Sequence, residues 1–277
     1  MVRGSPELLA GSQDSGNDRL ESFEVRWHLH PGSRNNAGVC GRKHGAGTGK
    51  RLMKRKQIVI IGAGGMAREV ASALHWINRA EPRFDFLGYV VSDLSRLGGH
   101  DARDQVLGDI SWLEQNRSSV DALALGVGSP AARLELVAGI TALLKEIEWP
   151  ALIHPTAVID LDSAQLGEGC FIGAGAVATV NITLEPFALV NFGVTLGHEV
   201  HIGRGSVVNP GANISGGVVI GEGVLVGTGA QILQYLQVGS HTIVGAGAVV
   251  TRNVGSDATV VGVPARPWRA AKTAAGK

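Results

Sequence analysis

The sequence predicts an α/β domain, a small Rossmann-like unit, followed by a parallel β-helix. Two observations carry this fold class. An aliphatic residue recurs at every sixth position over a long stretch, and a buried-strand run is followed by a glycine turn and an amphipathic helix. The chain has 277 residues, of which 40 are glycine and 44% are hydrophobic. About twice the usual glycine share, combined with that apolar content, favours repeated tight turns over disorder for most of the chain.

The first 52 residues differ from the rest of the chain. They mix Gly, Ser, Asn, Arg and His without apolar periodicity, and we expect them to be disordered or not native to the fold. No apolar run in them is long enough for a signal-peptide core. Met53 begins the run MKRKQIVIIGAGG, which resembles an ordinary protein start. The expected organisation is a leader over 1–52, an α/β domain over 53–153, a β-helix over 154–265 and a C-terminal tail over 266–277.

The α/β prediction begins with the buried-strand run QIVII at 57–61, the glycine turn GAGG at 62–65 and a helix after it. The helix has Met66, Val70, Leu74 and Ile77 on one face. A strand, a glycine turn and a helix form the arrangement in which backbone N–H groups and the helix dipole hold a phosphate. Further strands are expected at 84–91 and 122–127. Ser129 and Pro130 are expected to cap and open a helix over 131–144.

The residues alone leave three alternatives for the glycine turn: a purely structural turn, a nucleotide phosphate site, or a full NAD site. Asp85 and Asp93 both lie at a plausible distance for a carboxylate that binds a ribose. The unit of about 95 residues is short of the two mononucleotide-binding halves of an NAD domain. A single nucleotide therefore fits better than a dinucleotide.

The β-helix prediction rests on a strict six-residue period. Fifteen successive places at this period, from Leu166 to Val250, are all aliphatic, whereas an amphipathic helix needs a period of 3.6 and an ordinary strand one of 2. Each hexad supplies a short strand and a turn, and three hexads complete one triangular coil around the aliphatic side chains. The glycine that often follows the aliphatic residue is expected to permit the turn at a corner. Hexapeptide solenoids of this class coil left-handed.

One corner of the predicted solenoid carries residues suited to catalysis, in the hexad LGHEVH. His198 fits a general base, and Glu199 beside it can orient the ring and stabilise the imidazolium; the alternative is an ordinary exposed polar corner. One coil further on, Gly216 is expected to leave room for a ligand. His201 and His241 lie at other places of the solenoid, so we expect no metal site, since catalytic zinc needs converging ligands.

Charge and cysteine content narrow the class of protein. The formal charge is +1, from 25 Lys and Arg against 24 Asp and Glu, which argues against nucleic acid or an anionic membrane as the main partner. Cys40 and Cys170 make no disulfide framework, so a cytoplasmic location is expected. Cys40 lies in the leader and receives no role. Cys170 occupies a small place in its hexad and is expected to be a core residue rather than a nucleophile. No apolar run approaches the ~20 residues that cross a bilayer.

The α/β unit, the fifteen hexads, the His198–Glu199 corner and the terminal VVGVPARP together resemble one family. The chain from Met53 to about Trp268 is similar to the bacterial sugar acetyltransferases grouped with sialic acid O-acetyltransferases and UDP-4-amino-sugar (bacillosamine-type) N-acetyltransferases. The resemblance implies that the α/β domain binds the nucleotide of a sugar substrate and that the left-handed β-helix binds acetyl-CoA. It also implies a homotrimer with active sites between neighbouring subunits.

The resemblance also implies roles for individual residues. His198 and Glu199 match the catalytic histidine and the glutamate after it, and Asn191 matches an asparagine near the acceptor sugar. The residues that match the phosphate and nucleoside contacts are Gly62, Gly64, Gly65 and Asp93. The residues that match the contacts to acetyl-CoA are Gly216, Gly245, Ala246, Gly262, Pro264 and Arg266. Met66 stands where many relatives carry His, so this side chain is not expected to make the same phosphate contact.

The implied activity is that of an acyltransferase, an acetyl-CoA-dependent N-acetyltransferase that acts on a nucleotide-linked amino sugar in surface polysaccharide or glycan biosynthesis. Transfer is direct, with a histidine general base. Acetylation of a sugar hydroxyl is the leading alternative, because the same base serves both. A non-catalytic β-helix scaffold and an NAD-dependent enzyme are further alternatives. The His198–Glu199 corner argues against the scaffold, and the incomplete dinucleotide unit argues against the NAD enzyme.

Overall fold

The structure, a computed structural model, describes residues 54–268. The expectations for the leader at 1–52, for Cys40 and for Met53 lie outside the described residues, as does the predicted tail from 269 onwards; the first residues assigned to that tail, Arg266–Pro267, form a strand instead.

An α/β domain opens the described chain. Its strands are β1 Lys56–Ile61, β2 Phe84–Val91, β3 Val106–Asp109 and β4 Ala122–Leu125, and its helices are α1 Gly65–Ala80, α2 Ile110–Gln115 and α3 Pro130–Leu143. Short 3-10 turns lie at Leu94–Arg96, Arg103–Gln105 and Arg117–Ser119. The strands form a parallel sheet in the order β3-β2-β1-β4. The predicted strand at 84–91 is confirmed, whereas β3 and α2 were not predicted.

The two long helices form where the sequence predicts them. Helix α1 buries Ala67, Val70, Ala73, Leu74 and Ile77, and this face packs on the sheet and on the first coils of the solenoid. Helix α3 begins at Pro130, whose fixed φ suits a first helical position. Within the described chain, the Ser129 side chain makes no capping hydrogen bond. Ser129 is thus the N-cap residue and Pro130 the first helical residue, as predicted, but the Ser129 hydroxyl does not contribute to the cap.

A left-handed parallel β-helix follows, as predicted. Its two-residue strands are β5 Leu152–Ile153, β6 Val158–Ile159, β7 Gln165–Leu166, β8 Phe171–Ile172, β9 Val177–Ala178, β10 Thr183–Leu184, β11 Leu189–Val190, β12 Thr195–Leu196, β13 His201–Ile202, β14 Val207–Val208, β15 Asn213–Ile214, β16 Val219–Ile220, β17 Leu225–Val226, β18 Gln231–Ile232, β19 Gln237–Val238, β20 Ile243–Val244 and β21 Val249–Val250. An antiparallel pair, β22 Thr259–Val261 and β23 Arg266–Pro267, ends it.

The fifteen aliphatic places of the period are the second residues of β7 to β21. All but Leu166 are buried in the core of the prism, and Leu166 packs against that core. The strands form three faces: an eight-stranded face with β5, β8, β11, β14, β17, β20, β22 and β23, a six-stranded face with β6, β9, β12, β15, β18 and β21, and a five-stranded face with β7, β10, β13, β16 and β19.

Three corners join these faces. Corner 1 follows the strands of the eight-stranded face and leads to the six-stranded face. Corner 2 follows the six-stranded face and leads to the five-stranded face, and corner 3 closes the coil. The α/β domain packs against the eight-stranded face, where Leu152, Phe171, Leu189 and Val207 share a hydrophobic cluster with α1.

The solenoid begins one coil before the strict period does. Val158 pairs with Val177 and Leu152 with Phe171 in the same parallel manner as the later strands. One extra residue between Ile159 and Leu166 breaks the six-residue step, which is why the periodicity identifies only the coils after it.

Glycines in the solenoid meet two separate requirements. A glycine directly after the aliphatic residue makes room for the next coil: a Cβ on Gly197 would come within 2.5 Å of the Gly216 nitrogen. A glycine at the fourth place of a hexad adopts a left-handed backbone, as Gly217 does with φ 67°. The expectation that the glycine after the aliphatic residue permits the turn is therefore wrong, because the left-handed residue of the corner is the fourth one.

Candidate active site

The predicted catalytic pair lies at corner 2, directly after β12. Both side chains are about half exposed, His198 at 51% and Glu199 at 59%. His198 Nδ1 lies 3.5 Å from Glu199 Oε2, somewhat longer than an ordinary N–H···O hydrogen bond. With the carboxylate beside Nδ1, the other ring nitrogen, Nε2, is the one available to accept a proton.

Glu199 occupies the left-handed fourth place of its hexad, with φ 61°. A residue with a Cβ costs roughly 1–2 kcal/mol in this conformation, and glycine avoids that cost. Other non-glycine residues at this place include Phe187 and Tyr235, whose rings lie against Gly169 and Gly217 of the preceding coil. Asn181 and His241 share this conformation, so it is the position of the carboxylate beside His198 that distinguishes Glu199.

Corner 2 brings His198, Gly216 and Tyr235 together from three successive coils. A Cβ on Gly216 would come within 2.4 Å of His198 Nε2, so the imidazole itself fills the space that this glycine leaves. The ring centroids of His198 and Tyr235 are 6.3 Å apart, and Tyr235 is 67% exposed. Tyr235 was not predicted as a site residue, although it lies at the same fourth place as Glu199, two coils further on.

Asn191 lies at corner 1, not beside His198. It is 7% exposed, and its Oδ1 accepts a hydrogen bond of 2.8 Å from the Phe192 amide. Gly245 and Ala246 lie at the same corner three coils further on. Within one chain the structure therefore separates the predicted catalytic pair and Gly216 from Asn191, Gly245 and Ala246.

The C-terminal residues of the predicted CoA region lie beyond the last full coil. Gly262 and Pro264 belong to the turn between β22 and β23, and Arg266 begins β23. Gly262 and Pro264 are exposed, and Arg266 donates a hydrogen bond of 2.9 Å to the Ala265 carbonyl.

The glycine turn joins β1 to α1 at the carboxyl edge of the parallel sheet. Gly62 has φ 105°, and a Cβ there would come within 2.8 Å of the Gly126 carbonyl oxygen. Gly64 is the N-cap of α1, and no side chain in the described structure caps this helix there. Gly65 opens the helix, so the amides of 64 and 65 belong to the first turn, where a helix offers free donors.

The structure distinguishes the two candidate carboxylates of the α/β domain. Asp93 follows the end of β2, at the same edge as the glycine turn, and its Oδ1 accepts hydrogen bonds from the amide and hydroxyl of Ser95. Asp85 lies at the opposite end of β2, where it pairs with Arg55 at 3.3 Å. Asp85 is thereby excluded as a partner of the glycine turn.

Comparison with known proteins places this geometry in a family. Residues 217–252 match the family described as bacterial transferase hexapeptide (six repeats). The structure is similar to PerB from Caulobacter crescentus in complex with CoA and GDP-perosamine, with 28% identity, 77% of this chain and 97% of that chain covered, and a TM-score of 0.69. WeeI from Acinetobacter baumannii covers 76% of this chain and 99% of its own, with 28% identity and a TM-score of 0.63. A comparison with curated proteins gave no match.

The deciding comparison is with the acetyltransferase domain of PglB from Neisseria gonorrhoeae in complex with acetyl coenzyme A. It is 30% identical, with 78% of this chain and all of that domain covered (100%) and a TM-score of 0.68. The chain belongs to the hexapeptide-repeat nucleotide-amino-sugar N-acetyltransferases. These acetyltransferases share the order seen here, an N-terminal α/β domain followed by a left-handed β-helix.

Cys170 of this acetyltransferase is a buried core residue. It is 2% exposed, and its Sγ donates to the Glu185 carbonyl at 3.2 Å. Burial raises the pKa of the thiol to about 11, so it is protonated at neutral pH and unsuited to carry an acyl group.

Histidines outside corner 2 have other surroundings in this acetyltransferase. His201 Nε2 lies 2.8 Å from Glu185 Oε1 on the five-stranded face. Among residues 54–268, no group of three or more His, Cys, Asp or Glu side chains could hold a metal ion. Over the same range, the helices are too short or too polar to span a bilayer.

His154, which directly follows β5, was not predicted as a site residue. It is 8% exposed and lines a cavity between α1 and corner 1. It takes the place after an inward aliphatic residue, Ile153, where glycine or asparagine stands in later coils of this corner. Because the strict six-residue period begins only at Leu166, it does not mark His154 as a corner residue.

Proposed function

We propose that this chain transfers the acetyl group of acetyl-CoA to the amine of a nucleotide-linked amino sugar, in surface polysaccharide or glycan biosynthesis. The observation that carries the proposal is the half-exposed His198, with the Glu199 carboxylate beside Nδ1 and Nε2 over Gly216. The similarity of the whole described fold to PerB, with CoA and GDP-perosamine, and to the PglB domain, with acetyl coenzyme A, supports the choice of substrates.

The proposed step is a direct acyl transfer. The amine nitrogen of the sugar attacks the thioester carbonyl carbon, an N–C bond forms, and the C–S bond to CoA breaks. His198 Nε2 takes the proton that the nitrogen loses and returns it to the departing thiolate. The Glu199 carboxylate accepts a hydrogen bond from Nδ1–H and balances the charge of the imidazolium. Holding both substrates in one cleft supplies the proximity contribution to the rate.

The nucleotide is assigned to the carboxyl edge of the α/β sheet. Backbone amides at Gly64 and Gly65 and the positive end of α1 suit a pyrophosphate, Gly62 allows the chain to turn there, and Asp93 lies at the same edge for the nucleoside. Met66, partly buried in the first turn of α1, brings neither charge nor a hydrogen-bond donor. Phosphate binding would therefore rely on the backbone amides.

The proposal includes a homotrimer with sites between subunits, and the separation of the two corners within one chain supports it. The six-stranded face lies between corner 1 and corner 2. Three-fold packing with this face toward the axis would bring corner 1 of one subunit against corner 2 of the next. His198 and Gly216 would then face Asn191, Gly245 and Ala246 of a neighbour. Exposed aliphatic side chains on this face, Val158 at 64% and Val177 at 41%, support such packing.

The proposal includes a cytoplasmic location, which the lack of a disulfide framework supports. Acetyl-CoA enters as cosubstrate, and no metal is required for the transfer as written. The hairpin formed by β22 and β23, with Gly262, Pro264 and Arg266, is proposed to border the CoA arm beside Gly245 and Ala246.

The test is thiol release from acetyl-CoA with GDP-perosamine, a UDP-linked 4-amino sugar and the matching 4-hydroxy nucleotide sugars as acceptors. We expect release with at least one amino sugar and none with its hydroxy counterpart. His198→Ala should lower kcat about 10²–10⁴-fold, whereas His201→Ala, on the five-stranded face, should retain the wild-type rate. Release with the hydroxy sugars alone would favour O-acetylation, and unchanged activity of His198→Ala would reject the mechanism.

Subunit mixing tests the intersubunit site. His198→Ala and Asn191→Ala proteins are each expected to be weakly active, and trimers re-formed from an equal mixture should regain up to about a quarter of the wild-type activity, since that share of the sites would combine two intact corners. No recovery in trimers shown by mass to be mixed would reject a site shared between subunits.

A further inference from the structure

A cavity of about 230 Å³ lies between α1 and corner 1 of the solenoid. We call it the ring pocket and define it by Trp76, His154, Phe171, Gly173, Asn191 and Phe192, with Glu69 and Ser72 from α1 at its side. Trp76 and Phe192 are about half exposed and form its rim, whereas Phe171, His154 and Asn191 are more than nine-tenths buried. The pocket thus combines apolar aromatic walls with two buried polar side chains.

The hydrogen bonds around His154 fix which of its nitrogens carries the proton. The Thr156 amide donates to Nδ1 at 3.2 Å, and the Thr156 hydroxyl lies 2.9 Å from the same atom. That hydroxyl oxygen accepts from the Gly175 amide at 3.1 Å, which leaves its proton to point at Nδ1. Nδ1 is therefore an acceptor, and in the neutral ring the proton is on Nε2. Burial lowers the pKa of His154, which favours the neutral form.

Nε2–H of His154 has no hydrogen-bond partner among the described residues, and the ring lines the pocket. Asn191 presents the same situation, because its Oδ1 is held by the Phe192 amide while its NH₂ group has no partner in the described part of the chain. Neither donor atom is enclosed in the core, and both can be reached through the pocket. A ligand that accepts hydrogen bonds could therefore replace the water that pairs with them.

The two donors are spaced to hold one ring. His154 and Asn191 take the same place in hexads two coils apart, which separates their backbones by about 9–10 Å. The coil between them carries Gly173 at that place, so no side chain occupies the space between the two donors. A Cβ on Gly173 would come within 2.7 Å of the Phe192 nitrogen, so the floor of the pocket is closed backbone.

We propose that the ring pocket binds the hexose ring of the nucleotide sugar and that His154 Nε2–H and the Asn191 amide donate hydrogen bonds to its oxygen substituents. The inference rests on the proposed function for the identity of the ligand. His154 is the new element: it acts as a binding residue that recognises an acceptor oxygen on the sugar, and Trp76 supplies a flat apolar wall for the C–H face of the ring.

Size and location favour a hexose over the other ligands of the reaction. The volume is below the roughly 300–1,000 Å³ typical of drug-sized ligands, which suits a single ring better than a nucleotide or the CoA arm. The pocket also lies along α1, where its lining begins at Glu69, one turn after Gly65. Ser72 is seven residues from Gly65, about 10 Å along the helix. A pyrophosphate at the N-terminus of α1 would therefore place its attached sugar beside the pocket.

Two substitutions at His154 separate ligand binding from a structural role. His154→Asn keeps an acceptor near the Nδ1 position for the Thr156 amide and removes the donor that faces the pocket. His154→Gln places its amide NH₂ near the Nε2 position and removes the acceptor for Thr156. If the pocket binds the sugar, the Asn variant loses affinity and the Gln variant keeps it. If His154 only supports the turn, the order is reversed.

The measurement is calorimetric binding to the full-length assembled protein without acetyl-CoA. The wild type is first titrated with GDP-perosamine and GDP, and with a UDP-linked 4-amino sugar and UDP. The nucleotide sugar that it binds with the lower Kd, together with the matching bare nucleotide, is then used for the variants. We expect His154→Asn to raise the Kd of the nucleotide sugar about 3- to 10-fold, the effect of one lost hydrogen bond to an uncharged partner, with the Kd of the bare nucleotide unchanged. His154→Gln should stay within about twofold of the wild type.

Several outcomes would overturn the proposal. The first is a wild type that binds neither nucleotide sugar more tightly than the bare nucleotide. The second is a His154→Asn variant with the wild-type Kd for the nucleotide sugar. The third is a His154→Asn variant whose Kd rises equally for the nucleotide sugar and the bare nucleotide. Trp76→Leu provides a second route if His154→Asn does not fold, with the same expected selective loss. If sugar binding depends on His154 but no CoA is released, the pocket assignment stands and the proposed acetyl transfer is rejected. If CoA is released but sugar binding does not depend on His154, only the pocket assignment is rejected.

Discussion

The imidazole of His198 lies directly over Gly216, so close that a Cβ on this glycine would be 2.4 Å from Nε2. Gly216 does not need a left-handed backbone, and the His198 ring is the exposed end of a side chain that can swing away. An alanine at Gly216 would therefore displace the ring without opening the solenoid core.

We predict that Gly216→Ala folds with near wild-type stability and loses at least about tenfold in kcat, since a misplacement of about 1 Å can cost 10²-fold. Steady-state kinetics and thermal unfolding measure the two effects. Gly139→Ala, in α3 with open space around its Cα, is the matched control and should keep full activity. Equal loss of activity and stability in Gly216→Ala would contradict the displacement of His198.

Glu199→Gly should also lower activity with little effect on stability. Glycine relieves the left-handed strain at φ 61° and adds chain entropy to the unfolded state, so we expect the free energy of unfolding to change by less than about 1 kcal/mol. Loss of the carboxylate beside Nδ1 should lower kcat about tenfold or more. The control is His241→Gly, left-handed with φ 58° at corner 3, which should retain activity; wild-type activity of Glu199→Gly would remove Glu199 from the mechanism.

Arg133 ties α3 to the solenoid and should be a major contributor to stability. It is fully buried, and it donates to the Phe187 carbonyl at 2.7 and 3.2 Å and to the Val127 carbonyl at 2.6 Å. Burial lowers the pKa of its guanidinium to about 10, so it remains charged at neutral pH. We predict that Arg133→Leu costs about 2–4 kcal/mol because buried carbonyls lose their donors.

Denaturant unfolding of Arg133→Leu provides the measurement, with the exposed Arg252→Leu as control. Arg133→Lys should recover little of the loss, since one ammonium cannot reproduce the planar fork that spans two carbonyls. A destabilisation below about 0.5 kcal/mol for Arg133→Leu would show that the carbonyls find other partners.

Cys170 should resist alkylation in the folded protein. With a pKa of about 11, roughly one thiol in 10³ or fewer is ionised at pH 7.5, and the sulfur is also buried. We expect the Cys170 peptide to remain unmodified after treatment with iodoacetamide, as read by mass spectrometry, and to react fully in urea. Rapid modification under native conditions would show that this part of the solenoid opens.

His154 should make the stability depend on pH on the acid side. Its pKa is lowered in the folded state by burial, so between its ordinary value near 6.5 and the lower folded value the unfolded chain binds more protons. Stability is therefore complete above about pH 6.5 and falls as the pH drops through this window. Glu69, which lines the same pocket, would oppose the effect while ionised.

The measurement is the difference in unfolding free energy between wild type and His154→Asn from pH 7.5 to 5.5. We expect the wild type to lose stability relative to the variant as the pH falls. His75→Asn, on the exposed side of α1, is the control. A constant difference over this range would mean that His154 has the same pKa in the folded and unfolded states.

The solenoid was predictable because one inward aliphatic side chain per hexad is a strict packing requirement, visible from Leu166 to Val250. The strict period does not extend into the first coil because one extra residue before Leu166 shifts the register while leaving the strand pairing intact; the predicted start of the β-helix at 154 includes this coil except for β5. Strand β3 was missed because Val106–Asp109 is short, is only partly buried and follows a loop with no periodicity. Ser129 has the right type and place for a cap, but local sequence does not determine where its hydroxyl points.

The candidate site was predictable at the level of residue types and less so in its geometry. His198 and Glu199 are visible as polar residues at a corner, and family resemblance assigns their roles. That Asn191 lies at a different corner from His198 follows from counting hexads, since the two belong to successive strands. The acceptor role of His154 Nδ1 depends on Thr156 and Gly175, which meet only when the coils stack.

Stacking in equal layers has a consequence for how such enzymes diverge. At corner 1, His154, Gly173, Asn191 and Gly245 are rungs of a single ladder with a rise of about 4.8 Å. Inserting or deleting a whole coil between two rungs would change their separation by one rung and keep the aliphatic side chains of the flanking coils directed inward. The spacing of side chains along this corner can thus change only in steps of about 4.8 Å.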